Sequence, residues 1–131
     1  MKKTFFHGII AGVLAALAGI IYLNIYQNSL RTDFNKLANI GSVSGLSIIA
    51  CMLMSLGYWV LEKFNRENLK GILNIIIALL SFASIIFPIG KSLPLNIKDP
   101  ELFPGLVVPM HFFPALSFLC LVPFFKEKKT E

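Results

Sequence analysis

Residues 5–26, FFHGIIAGVLAALAGIIYLNIY, contain no Asp, Glu, Lys or Arg. As an α-helix rising about 1.5 Å per residue, such a run is about 33 Å long, the thickness of a bilayer's hydrocarbon core. The same run constrains what packs on it. Gly8, Gly12, Ala16 and Gly19 recur at spacings of four, four and three, so they share one helix face. A face almost bare of side chains lets a second helix approach to backbone contact. These four are the expected helix-packing residues, and the segment reads as the packing centre of a small multipass membrane protein.

The remainder of the chain repeats this pattern. Further apolar stretches cover residues 40–61, 71–89 and 104–125, and the charges fall in the short segments that flank all four runs. Hydrophobic residues make up 56% and charged residues 15% of the chain, against roughly 45–50% and 25% in soluble domains. The expected fold class is all-α: a four-helix antiparallel transmembrane bundle, one integral membrane domain over residues 1–131. Tyr22 and Tyr26, like Tyr58 and Trp59, suit membrane interfaces. Residues 27–39 read as a polar loop in which Leu30, Phe34 and Leu37 recur at helical spacing, fit to lie on the membrane or to cap the bundle. Residues 62–70 form a compact turn, which makes the second and third spans antiparallel neighbours. Pro94 and Pro100 argue against a helix through residues 91–103. Pro104 suits a first helical turn, whereas Pro109 and Pro114 lie inside the last span. Each removes a backbone hydrogen bond and favours a kink; straight, kinked and broken forms all remain open.

Charge sets the expected orientation. Lys2, Lys3, Lys63, Arg66, Lys70, Lys126, Lys128 and Lys129 share one side of the four-span plan; Arg31, Lys36, Lys91 and Lys98 share the other. The positive-inside rule places the N- and C-termini in the cytoplasm, in a multi-pass protein of the cell (inner) membrane. The net charge of +5 then reflects lysines at membrane boundaries. With little soluble surface to carry a basic groove, no nucleic-acid partner is expected; the expected partners are the lipid bilayer and a homo-oligomer or membrane protein. Lys2-Lys3 and Ala16-Leu17-Ala18 resemble parts of a signal peptide. The apolar run exceeds an h-region of about 7–15 residues, so the segment is expected to stay as a span.

Polar residues within the spans are few. Ion-coupled transport usually needs an intramembrane ionisable group, and a small four-helix drug antiporter would carry a glutamate in its first helix; this first run has none. His111 is the ionisable group that falls inside a span, about seven residues or roughly 10 Å deep. It could relay protons, bond a ligand or ligate metal or haem, or it could be a structural histidine bonded to a neighbouring helix. His7 falls at the opposite surface, about 20 Å away along the axis, too far to share one iron, and reads as interfacial. Asn24, Ser44, Ser84 and His111 all fall in the outer half. If they face inward they form a small ligand-binding pocket. Gly71, Asn74, Ala78, Ser81 and Ser84 make a small, weakly polar helix face, read as a helix contact surface.

Other chemistry lacks its motifs. Cys51 and Cys120 stand alone, without C-x-x-C; there is no G-x-S-x-G, Gly-rich phosphate loop or H-E-x-x-H. Asp99 and Glu101 read as solvated loop charges. Hence no catalytic residue, metal site or cofactor is expected.

Three stretches carry a resemblance: the glycine- and alanine-rich GIIAGVLAALAG of the first span, SIIFPIG closing the third, and MHFFPALSFLCLVP in the last. In this order they resemble a family of small bacterial four-helix membrane proteins of unknown function. Pro109 and Pro114 are extra to that pattern. The resemblance implies a four-helix integral membrane fold and no activity. The expected role is non-enzymatic: packing with itself or a partner, or binding a small apolar or lipid-like ligand. The alternative is a transporter or channel component using His111, which needs a water-reachable cavity. A membrane enzyme ranks third.

Overall fold

A computed structural model describes residues 2–90, 92–93 and 98–125. Lys91 and the tail lysines 126, 128 and 129, counted above for orientation, lie outside the described residues. The chain is all-α. Its helices are α1 (Lys2–Leu30), α2 (Ile40–Lys63), α3 (Lys70–Ser84), α4 (Ile86–Gly90) and α5 (Phe103–Phe125), with short 3-10 turns before α3 and α5. Four helical segments are long and apolar enough to cross a membrane: Lys2–Leu30, Ile40–Lys63, Glu67–Gly90 and Pro100–Phe125.

Local chemistry fixes where these helices stop. α1 continues through the polar residues Gln27, Asn28 and Ser29 to Leu30, because nothing there breaks a helix. It ends where Arg31 turns left-handed (φ 52°), and the Thr32 amide reaches back to the Gln27 carbonyl at 3.1 Å. α2 ends the same way: Asn65 takes φ 52° and the Arg66 amide bonds the Leu61 carbonyl at 2.8 Å. Both are the six-to-one closure that satisfies orphan carbonyls. α2 starts on Asn39, whose side chain accepts the Ser42 amide at 2.8 Å.

The third apolar stretch, expected as one span over residues 71–89, is interrupted at Ile85. Pro88 explains the break. It has no amide to bond the carbonyl four residues back, and the interruption places it in the first turn of α4, where none is needed. In contrast, α5 runs unbroken through Pro109 and Pro114. The carbonyl that Pro109 leaves unbonded is that of Gly105, and the Tyr22 hydroxyl of α1 donates to it at 2.8 Å.

Moving up α1, a β-carbon added to Gly8 would meet Ser55, one on Gly12 would meet Ile48, and one on Gly19 would meet Val43. The falling α2 numbers make the pair antiparallel. α5 is antiparallel to α1 as well, since His7 touches Phe118 while Tyr26 donates to the Leu102 carbonyl at 2.7 Å. α3 packs on α2 and α5 and makes no close approach to α1. It buries only Ile77 and Ser81, whereas α1 buries nine residues.

Two apolar clusters result. One joins Ala11, Ala15, Cys51, Tyr58, Ile77, Ala115 and Phe118; it lies toward the end where α1 begins, called the near end below. The other joins Leu23, Phe34, Ala38, Phe103 and Leu106 at the far end. Phe34, from the loop expected to cap the bundle or lie on the membrane, is 1% exposed and meets the Phe103 ring edge-on at 5.5 Å. It plugs the far end of the bundle.

Candidate functional site

The small-residue face of α1 brings α2 to backbone distance. A β-carbon on Gly8 would lie 2.7 Å from Ser55 Cβ and 3.2 Å from the Cys51 carbonyl. One on Gly12 would lie 2.9 Å from Ile48 Cα, and Ala16 is buried on the same face. Thr4 and His7 precede this face at helical spacing, so the contact that buries the glycines carries them inward too.

His7 is consequently a buried residue, 2% exposed, packed between helices at the end of α1 that the sequence places near the membrane surface. Its Nε2 lies 2.9 Å from the Phe118 carbonyl oxygen. A carbonyl can only accept, so the hydrogen sits on Nε2. The imidazole stacks on Phe118 at 4.1 Å and on Phe125 at 4.8 Å, nearly parallel to both, and meets Tyr58 edge-on at 6.1 Å. Phe118 and Phe125 stand two turns apart on α5, so the imidazole bridges a gap of about 10 Å between them.

Polar groups surround this stack at the near end. Thr4 Oγ1 donates to Glu62 Oε2 at 2.7 Å, and Lys70 Nζ bonds the other Glu62 oxygen at 3.0 Å. The Ser55 hydroxyl donates to the Thr4 carbonyl, and the Tyr58 hydroxyl to Asn74 Oδ1. Lys70 also lies over the Tyr58 ring, 5.7 Å from its centre. These contacts tie α1, α2 and α3 together, and His7 adds α5. Because the donors and acceptors are paired inside the protein, the network serves as a clamp: it needs no ligand to complete it.

The four residues expected to form an outer pocket are each bonded within their own helix. Asn24 is exposed and donates to the Ile20 carbonyl at 3.0 Å; Ser44 donates to Ile40 at 2.7 Å. Ser84 donates to Ser81 at 2.7 Å, and His111 Nδ1 lies 2.8 Å from the Val107 carbonyl. No hydrogen bond joins any two of the four among the described residues. A Ser or His side chain can always reach the carbonyl of the preceding turn, and these have done so. The interhelical bond near His111 uses its backbone: the Ser81 hydroxyl donates to the His111 carbonyl at 3.0 Å. The small face of α3 thus divides, with Asn74 and Ser81 bonding across helices and Ser84 bonding its own.

Among the described residues no group of three or more His, Cys, Asp or Glu side chains comes together. The surface of the described residues does offer apolar grooves. One runs between α2 and α3, walled by Leu53, Leu56, Val60, Ile72, Leu73 and Ile76, with Gly57 beneath. Another lies at the near end, between the first turns of α1 and the last turns of α2.

Compared with known proteins, the chain matches no family model, no curated protein and no solved structure.

The position of His7 along its helix gives its depth but not its environment. A signal was present: Thr4, His7, Ala11 and Ala15 recur at three, four and four, one position beside the glycine stripe. A side chain in that register follows the stripe into the contact.

Proposed function

We propose that the chain is a multipass integral membrane protein of the cell (inner) membrane, with both termini in the cytoplasm, and that its role is non-enzymatic binding of an apolar, lipid-like ligand. The observation that carries this reading is the open groove between α2 and α3. It has a volume of about 460 Å³ and is walled almost wholly by Leu, Ile and Val side chains. α3 stands at the edge of the bundle with two buried residues, so a ligand can enter beside it without opening the core. Lysines support the orientation: Lys2, Lys3, Lys63, Arg66 and Lys70 belong to the near end, against Arg31, Lys36 and Lys98 at the far end.

Transport through His111 draws less support. Its imidazole is engaged with its own helix, and Ala11, Ala15, Cys51 and Phe118 fill the space between α1, α2 and α5 without exposure.

Native mass spectrometry of the protein released from mild detergent tests the reading. A retained lipid-sized mass that Gly57→Leu removes is expected, because a leucine there projects toward Leu73 in the groove wall, where even a β-carbon comes within 3.3 Å. A bare monomer with no adduct, or an adduct unaffected by the substitution, rejects the α2–α3 groove. A doubled mass with no adduct assigns the groove to a second copy of the chain.

A further inference from the structure

We propose that the near-end groove between α1 and α2 seats an acyl chain of an anionic phospholipid, with the lipid phosphate held by Lys2 and Lys63; this rests on the membrane reading above. The groove holds about 420 Å³ and is lined by Phe5, Phe6, Met52, Leu56 and Trp59, together with Lys2 and Ser55. Phe5 and Phe6 are more than half exposed, 54% and 57%, so their rings remain available to a ligand along α1. The charged end is built around Trp59. Its indole forms part of the groove wall, and Lys63 Nζ lies over the same ring, 5.2 Å from the centre. One side chain thus joins an apolar slot to a cation, the order of groups along a phospholipid.

Charge complementarity selects the head group. The first turn of α1 contains no acidic residue, so the positive end of its helix dipole acts in the same sense as Lys2. The adjacent carboxylate, Glu62, is already bonded to Lys70 at 3.0 Å and to Thr4 at 2.7 Å. Its charge is balanced and does not oppose an incoming phosphate. A zwitterionic head group brings its own cation against Lys2 and Lys63; a glycerol head group does not.

Trp59 supplies the readout, because it is the chain's single tryptophan. The protein is reconstituted in phosphatidylcholine vesicles containing a minor fraction of chain-brominated phosphatidylglycerol or chain-brominated phosphatidylcholine, and Trp59 quenching is compared. At about 1 kcal/mol per lysine near the surface, the two lysines together give an expected preference of about thirtyfold for the anionic lipid. It should fall toward unity in Lys2→Gln/Lys63→Gln and persist in Arg31→Gln/Lys36→Gln at the far end. Equal quenching by the two lipids overturns the proposal while leaving the membrane reading standing. A preference that survives the lysine substitutions, or is lost equally in the far-end pair, also overturns it, since bulk surface charge then explains it. Absence of quenching by either lipid overturns both readings together.

Discussion

His7 and Phe118 meet twice: the imidazole Nε2 lies 2.9 Å from the Phe118 carbonyl oxygen, and the two rings stack at 4.1 Å. The first contact engages the α5 backbone and the second its side chain, so a single residue of α1 constrains both the height and the rotation of α5 at the near end.

His7→Ala removes a buried ring and its hydrogen bond together. A loss of about 3 kcal/mol is expected in unfolding by denaturing detergent from mixed micelles. His7→Phe should recover part of it through stacking. His111→Ala, measured the same way, should cost less than about 1 kcal/mol, because its side chain bonds only its own helix. A reversed order would contradict the near-end clamp.

Two glycines make an internal comparison. A β-carbon on Gly12 would lie 2.9 Å from the Ile48 backbone, whereas one on Gly45 would find nothing within 4 Å. Gly12→Ala must push α1 and α2 apart, at about 1–3 kcal/mol. Gly45→Ala should be neutral or stabilise by up to about 1 kcal/mol, through helix propensity alone. Parallel unfolding curves of the two variants check the difference.

The bond from Tyr22 to the Gly105 carbonyl predicts coupling with Pro109. Tyr22→Phe should cost about 1 kcal/mol in the native sequence, where that carbonyl has no amide donor from its own helix. In a Pro109→Ala background the new amide can take the carbonyl, and Tyr22→Phe should cost almost nothing. A double-mutant cycle measures the difference directly; additive effects would show that the hydroxyl does not compensate for the proline.

The helices were legible because their signal is long and redundant: four charge-free stretches bounded by charged segments leave few alternative divisions. The stripe of Gly8, Gly12, Ala16 and Gly19 was legible because residues without side chains favour close approach whatever the neighbour. The polar residues were harder to place. The bond that Asn24, Ser44, Ser84 or His111 makes to its own helix depends on a rotamer, and sequence does not specify rotamers. The break at Ile85 was hidden for a related reason. Pro88 marks a disruption, but whether a helix continues through a proline, as α5 does at Pro109, or restarts before it depends on what can take the freed carbonyl.

The uneven burial of the helices bears on how the protein is made. α1 and α2 are adjacent in the chain and meet directly along Gly8, Gly12 and Gly19. The first half can therefore settle as a hairpin while the second half is still being synthesised. α5 arrives last and brings Phe103 against the waiting Phe34, and Phe118 against His7. α3 is made between these events and, among the described residues, packs on α2 and α5 rather than on α1, so its seat is complete only once α5 has docked. A ribosome stalled before α5 would hold a finished hairpin with a loosely attached third helix.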